Sequence, residues 1–434
     1  MAIEGVDLAV FEREDMRQAL ACRDITTVYR ILVNYGVAQR YLAELVGQTQ
    51  SEVSEILHGR KVQSYAVLVR IAQGLGVSRG SMGLAYLDER DEYEGPEPLF
   101  EEVTEDMKRR ALLAAGAVAL CGSPVLGEIL ELPERPPTPT PLPNRLGLSD
   151  LQALQGLTRA LETEARYHGG GYDVISPVAQ RAERLLVVPA AEPTKAGIAT
   201  AVADLHNVAG WAAFDSHQDD TARYHFARAM SLGNAGDGFQ FAKAAYLAGV
   251  STAERGHLND GLKLMQLGQI RINQGPEGPR TGELKAWLAA DTACVLAHMG
   301  HPDPARSALS SAREGWRAPD ADDQADMDWV TALVEMHLGR HDVAEQLVST
   351  SVRHWEGTSD RRQAVLGRIT LAQLHVQAGD SRGNDMAYQV LKDVRELRSV
   401  RARERLRPMI DTLEARPESE SRQLAGMARR VASI

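Results

Sequence analysis

Residues 38–60 read AQRYLAELVGQTQSEVSEILHGR, and their spacing decides the N-terminal fold. Leu42, Ala43 and Val46 fall on one helical face. Gly47 then breaks the helix, and Thr49 has the side chain to cap a new one. Val53, Ile56 and Leu57 repeat at i, i+3 and i+4, which gives the second helix an inner face. Two short helices joined by a tight glycine turn form a helix-turn-helix, a unit whose second helix fits the major groove of DNA.

The outer face of that second helix carries Gln50, Ser51, Glu52, Ser54 and Glu55. A Gln amide bonds adenine through two atoms, a Glu carboxylate accepts from cytosine, and a Ser hydroxyl does either. Arg60, Lys61 and Gln63 come after it, where they would grip phosphates. Gln39 opens the first helix and would aim its amide and backbone N–H at a phosphate, while Arg40 and Thr49 complete the expected contact set. Residues 64–76 (SYAVLVRIAQGLG) add a helix whose Val67, Leu68, Ile71, Ala72 and Leu75 face inward.

These residues resemble the XRE family of phage-repressor-like helix-turn-helix domains over about 24–87. The likeness lies in the Leu-Ala pair, the glycine turn, the Gln-Ser opening of the recognition helix and the Ile-x-x-Gly-Arg ending. It implies a five-helix DNA-binding domain that acts as a dimer, with Gln39, Gln50, Ser51, Glu52 and Glu55 at the DNA-contact positions. Glu52 and Glu55 depart from an amide-rich or basic surface, which shifts weight from generic affinity to specific base contacts.

Charge supports local rather than general contact with DNA. The chain of 434 residues carries −11, yet residues 23–87 hold seven Arg/Lys and four Asp/Glu, a net of +3, which leaves −14 for the rest. Aromatics make up 5%, hydrophobics 44% and charged residues 25%, an ordinary globular balance that leans helical. Cys22, Cys121 and Cys294 show no pairing or metal spacing, so a reduced cytoplasmic compartment is expected. Glu4, Asp7, Glu12 and Glu14 interrupt the start, so no signal peptide is expected.

Working outward, residues 1–23 read as a helical extension and 24–87 as the DNA-binding domain. Residues 88–148 read as a linker with an apolar helix at 109–130 and a proline-rich spacer, PERPPTPTPLP, at 133–143. Pro124, Glu128 and Glu131 argue against a membrane span there, leaving an amphipathic helix docked on the repeats or on a partner chain. Membrane tethering through this stretch is the weakest of the readings.

Residues 149–434 read as helical repeats. His217, Gly256, Gly300, Gly339 and Gly379 lie 39, 44, 39 and 40 residues apart at turns. Seven residues before each stands Gly210, Gly249, Ala293, Ala332 or Ala372. Five after stand Ala222, Gly261, Ala305, Ala344 and the exception Asn384; nine after stand the bulky Phe226, Met265, Leu309, Val348 and Tyr388. Small residues let two helices approach and the bulky one fills the groove, so neighbouring hairpins must stack to bury their apolar faces. The pattern resembles a degenerate tetratricopeptide array of five hairpins over about 197–398, with Gly275–Gly282 as an inserted loop and a HEAT-like geometry as the alternative.

The expected fold is therefore all-α: a five-helix helix-turn-helix domain followed by an α-solenoid. In a tetratricopeptide register the first helix of each hairpin lines a concave groove. The resemblance then implies ligand contacts at Asp204, Asn207, Trp211, Lys243, Tyr246, Trp287, Asp326, Trp329 and Gln373. The three tryptophans read equally well as core between repeats. GLGVSRG at 74–80 reads as a helix cap, not a nucleotide loop, because it comes after a helix. His298 with His301, and His337 with His341, read as turn histidines rather than metal ligands, and no nucleophile-base pattern supports catalysis or a cofactor.

The layout resembles the peptide-responsive RRNPP group of regulators, and the Ala, Arg and Gly richness points to an actinobacterial source. That resemblance implies a homodimer on a double-stranded operator, controlled by a peptide or small-molecule effector as in quorum sensing, without a membrane. The alternative is an interaction scaffold whose repeats bind a transcription partner such as a sigma factor.

Overall fold

The computed structural model describes residues 8–85, 143–168, 170–233, 238–358, 360–380, 382–397 and 399–433. The apolar helix expected at 109–130 and the proline-rich spacer lie outside the described residues, as does Cys121. The described residues are all-helical apart from one isolated bridge between Leu146 and Ala190.

The N-terminal unit comprises α1 (Glu14–Ala21), α2 (Ile25–Asn34), α3 (Gln39–Leu45), α4 (Gln50–Leu57) and α5 (Tyr65–Leu75), with 3-10 turns at Leu8–Glu12 and Gly80–Met82. Its core draws on Val10, Met16 and Leu20 as well as Tyr29, Leu42, Val53, Ile71 and Leu84. The described part of 1–23, expected as a separate extension, thus shares one core with α2 to α5, and α1 supplies the fifth helix that 24–87 alone lacks. The reason is amphipathicity: Met16, Ala19 and Leu20 put a narrow apolar stripe on α1, and the head covers it. Gly76 caps α5 in the left-handed conformation, at φ 67°, as the glycine-rich 74–80 segment implies.

The C-terminal region begins with α6 (Leu148–His168) and α7 (Tyr172–Ala182), and then a 3-10 turn at Glu183–Val187. Five antiparallel hairpins come next: α8 (Glu192–Asp215) with α9 (Asp219–Gly233), α10 (Phe239–Glu254) with α11 (Leu258–Ile272), and α12 (Pro279–His298) with α13 (Pro302–Gly315). Then come α14 (Ala321–His337) with α15 (His341–Glu356) and α16 (Arg361–Ala378) with α17 (Arg382–Glu396). The last three helices are α18 (Val400–Glu404), α19 (Arg407–Glu414) and α20 (Ser419–Ala432).

The small-and-bulky pattern works as steric logic demands in four hairpins. A Cβ on Gly210 would stand 2.6 Å from the Phe226 ring, and one on Gly249 would stand 2.7 Å from Met265. Phe226, Met265, Leu309 and Val348 are all fully buried. The fifth hairpin corrects the register. Tyr388 is 42% exposed, and the close approach falls on Gly383, where a Cβ would stand 2.8 Å from the Val376 nitrogen. One residue fewer after the turn rotates α17 by about 100°. Ala387, Val390 and Leu391 therefore take the inner face and Tyr388 turns to solvent.

The first helices of the hairpins face inward, and the array curls tightly. Asp215, at the end of α8, bonds Arg362 of α16 four hairpins later. Arg166 of α6 reaches Asp326 at 3.3 Å and Asp360 at 3.5 Å, tying the start of the region to its fourth and fifth hairpins.

Candidate nucleic-acid interface

The DNA-reading candidate is built by the turn between α3 and α4. Gly47 adopts φ 62°, which a side-chain-bearing residue enters at a cost of about 1–2 kcal/mol. Thr49 then caps α4. Its hydroxyl accepts from the Glu52 amide at 3.2 Å, while its own amide donates to Glu52 Oε2 at 2.7 Å. Both halves of a capping box are present, and these donors hold the Glu52 carboxyl below its usual range.

The other end of α4 is tied by α2. Thr26 donates to the Ile56 carbonyl at 2.9 Å and Arg30 to the Leu57 carbonyl at 3.1 Å. The buried Tyr29 donates to Gln48 at 2.7 Å, fixing the turn itself. Val53 and Ile56 are sealed in the core. The pose of α4 is thus over-determined at both ends and underneath, which leaves its outer edge as a rigid polar surface. Thr26, Tyr29 and Arg30 were missed by sequence reasoning, because nothing local marks a side chain that will reach a carbonyl 27 or 30 residues away.

Gln50, Ser51 and Glu55 lie exposed along that edge, and Ser54 is half-buried beside them. Thr49 is exposed but committed to the cap, and Glu52 is half-buried with its carboxylate turned back to Thr49. Glu52 is therefore held by the cap, whereas Gln50 and Ser51 stand open. Arg60, Lys61 and Gln63 are exposed after α4, with Arg60 paired to Glu55. Surface pairs of this kind contribute at most about 1 kcal/mol, so the Arg60–Glu55 pair holds neither side chain firmly. Gln39 is half-buried at the first turn of α3, and Arg40 is exposed with Glu44 at 3.4 Å.

This head is joined to the repeats by specific bonds. Gln266 of α11 donates to the Gly83 carbonyl at 2.6 Å and accepts from the Ala85 amide at 3.2 Å. Within the head, Arg23 donates to the Met82 and Gly83 carbonyls at 3.1 and 3.0 Å and so holds the segment that Gln266 grips. Arg17 lies 3.6 Å from Asp303 on α13. On the head side the joining residues come from α1 and the segment after α5, so the junction uses none of the exposed edge of α4.

The residues expected to contact a ligand fall mainly on the inner layer of helices, but few are free. Lys243 donates to Asp204 at 3.0 Å, and Tyr246 donates to Asp291 at 2.8 Å. Burial pushes the Asp291 carboxyl up to about 6 and the Asp326 carboxyl up to about 7. Asp326 is paired with Arg166 and Gln363. Trp211 lies beneath Arg401, with 5.2 Å from guanidinium to ring centre, and Trp329 beneath Arg405 at 4.6 Å. Trp329 is also core, its indole N–H bonded to Thr370 at 3.2 Å. Trp287 packs edge-on against Trp316 at 5.2 Å. Gln373 is buried. Asn207 is buried too, and neither atom of its amide has a partner among the described residues.

Elsewhere, an open depression of about 1000 Å³ lies over α15–α17, lined by Glu345, Arg353, Glu356 and Arg368, and none of the expected ligand residues reaches it. His298 and His337 stack on each other at 4.5 Å. Among the described residues no group of three or more His, Cys, Asp and Glu could hold a metal ion, and no helix is long and apolar enough to cross a membrane.

The helix-turn-helix family model matches residues 28–80, which include most of α2, all of α3 to α5 and the turn that positions α4. These residues form a helix-turn-helix domain, a double-stranded DNA-binding fold of transcription regulators. No curated protein matches the chain.

Proposed function

We propose that this chain is a sequence-specific DNA-binding transcription regulator of the cytoplasm, acting as a homodimer whose repeat region senses a ligand, a peptide above all, and controls the DNA-reading head. The observation that carries the reading is the open edge of α4, Gln50, Ser51 and Glu55, on a helix whose every other side is fixed. A second observation supports control by the repeats. The head is held to α11 through Gln266 and to α13 through Arg17, so a shift of those hairpins carries the head with it. In a dimer, two heads must match half-sites about 34–36 Å apart, and a small rotation is enough to spoil the match. A ligand acts only if it binds one arrangement of the repeats better than the other.

The test is selection of binding sites from random duplexes at a fixed salt concentration, with gel shifts on the selected sites. A defined, two-fold-related site is expected. Replacing Gln50 and Glu55 together with alanine relaxes selectivity, while Arg60→Ala weakens all sequences equally and lowers the salt slope by about one. Recovery of no enriched site, or unchanged selectivity in the Gln50/Glu55 double variant, rejects the reading.

A further inference from the structure

We infer that the inner face of the repeats is a binding site for a helical turn carrying two arginines four residues apart, and that Ser399–Arg405 of this chain occupies it as an internal ligand. The inference rests on the reading of the repeats as the sensor and names the chemistry sensed.

The segment reads SVRARER, and its residues meet the inner face as a bound peptide would. Arg401 grips Glu254 through two bonds, at 2.8 and 2.5 Å, and Arg405 reaches the same carboxylate at 2.8 Å. Each guanidinium also lies on an indole, Arg401 on Trp211 and Arg405 on Trp329. A carboxylate between two aromatic faces accepts arginine rather than lysine, because only a planar guanidinium forks onto an acid while stacking on a ring. The two arginines hold the Glu254 carboxyl down to about 2, even though burial pushes the other way. Ser399 donates to Asp215 at 3.3 Å, and Glu404 pairs with Arg255 and with His217 at 2.8 Å.

Two further observations point to a ligand site rather than to plain packing. Asn207, 1% exposed, stands in the same stripe of α8 as Trp211, one turn away, and its amide has neither donor nor acceptor matched among the described residues. A buried amide of that kind calls for a backbone to bond. His217 adopts φ 61° at a turn where the other four hairpins have glycine, and its ring is the one that meets Glu404. Strain held at a contact with the inserted segment marks a functional junction. A free arginine peptide that takes the place of Arg401 and Arg405 releases Glu404 from α10 and from the α8–α9 turn, and so changes how the hairpins stack.

The probe is the capped peptide of residues 399–405, added to the full chain. In the wild type the tethered copy competes at an effective concentration on the order of millimolar, so calorimetric binding is weak. In the full-length R401A/R405A variant the peptide binds at least tenfold more tightly. Adding E254Q to that variant removes at least tenfold of the affinity, and a peptide with both arginines changed to lysine loses at least fivefold. Should the double variant fail to fold, amide exchange on the wild type is the second measurement. Millimolar peptide should speed exchange at 400–406 while leaving α2–α5 protected. Equal affinity with and without Glu254, or no acceleration at 400–406, overturns the inference. Retained DNA selectivity alongside failed peptide binding rejects this inference alone, whereas lost selectivity rejects the regulator reading beneath it.

Discussion

The recognition helix and the inner face of the repeats are made of the same residue types, yet they stand in opposite conditions. Along α4, Gln50 and Ser51 face solvent and Glu55 holds only a surface pair. Along α8, α10 and α14, Asp204, Tyr246 and Asp326 are already bonded to Lys243, Asp291 and Arg166. A polar side chain is available for a partner only where the fold has not supplied one. The head leaves its polar edge open because four sides of a short helix cannot all be buried in a small domain. The curled array closes on its own charges because its first helices converge.

Five measurements test that contrast. Glu254→Ala should cost about 3–5 kcal/mol of unfolding free energy, because it strands Arg401 and Arg405 together in a largely buried site. A loss under about 1 kcal/mol in urea titration would mean that the inner face is as loosely paired as the head.

The next effect is on titration. His206 and His225 face each other at 2.9 Å, with Ser176 and Glu183 on their outer nitrogens, and burial holds both rings down to about 4 against 6.5 when unfolded. The folded state therefore refuses protons that the unfolded state takes up. Their contribution to stability is complete above pH 6.5 and is lost as pH falls towards 4. In proton NMR neither ring should titrate above about pH 5; a midpoint near 6.5 for either one would show that the pair is open to water.

Gln50→Ala should leave folding unchanged within about 0.5 kcal/mol while reducing discrimination between the selected site and its adenine-substituted variants by about 1–3 kcal/mol. A variant that loses stability instead would place Gln50 with the structural residues. Thr49→Ala should remove about 1 kcal/mol from the head's stability through the lost cap. Smallest of all, Tyr388→Ala should change the unfolding free energy by less than about 0.5 kcal/mol, whereas Phe226→Ala, its counterpart in the first hairpin, should cost about 3–5 kcal/mol. Equal losses would restore the unshifted register.

Much of the fold was legible from the chain alone. The period of apolar residues around Gly47 gives α3 and α4, since both helices fold on contacts within a few residues. The spacing of small, turn and bulky positions gives five hairpins, because a close approach at Gly210 or Gly249 leaves no room for a larger residue. The register of the fifth hairpin was not legible, since Asn384 and Gly383 adjoin and only packing against Val376 chooses between them. Nor was the fate of Glu52, which could equally read a base or complete a cap until the backbone of Thr49 was in place.

The kinds of element and the polar edge of α4 are written in the chain itself, because they arise from periodicity and capping over short spans. Tertiary structure alone decided that α1 belongs to the head, that Gln266 binds the head to the repeats, and that Arg401 and Arg405 lie on Trp211 and Trp329. Gln266 and the Gly83 carbonyl it bonds stand 183 positions apart in the chain. Partners at such separations are selected by the curvature of the whole array, and no local rule carries that information.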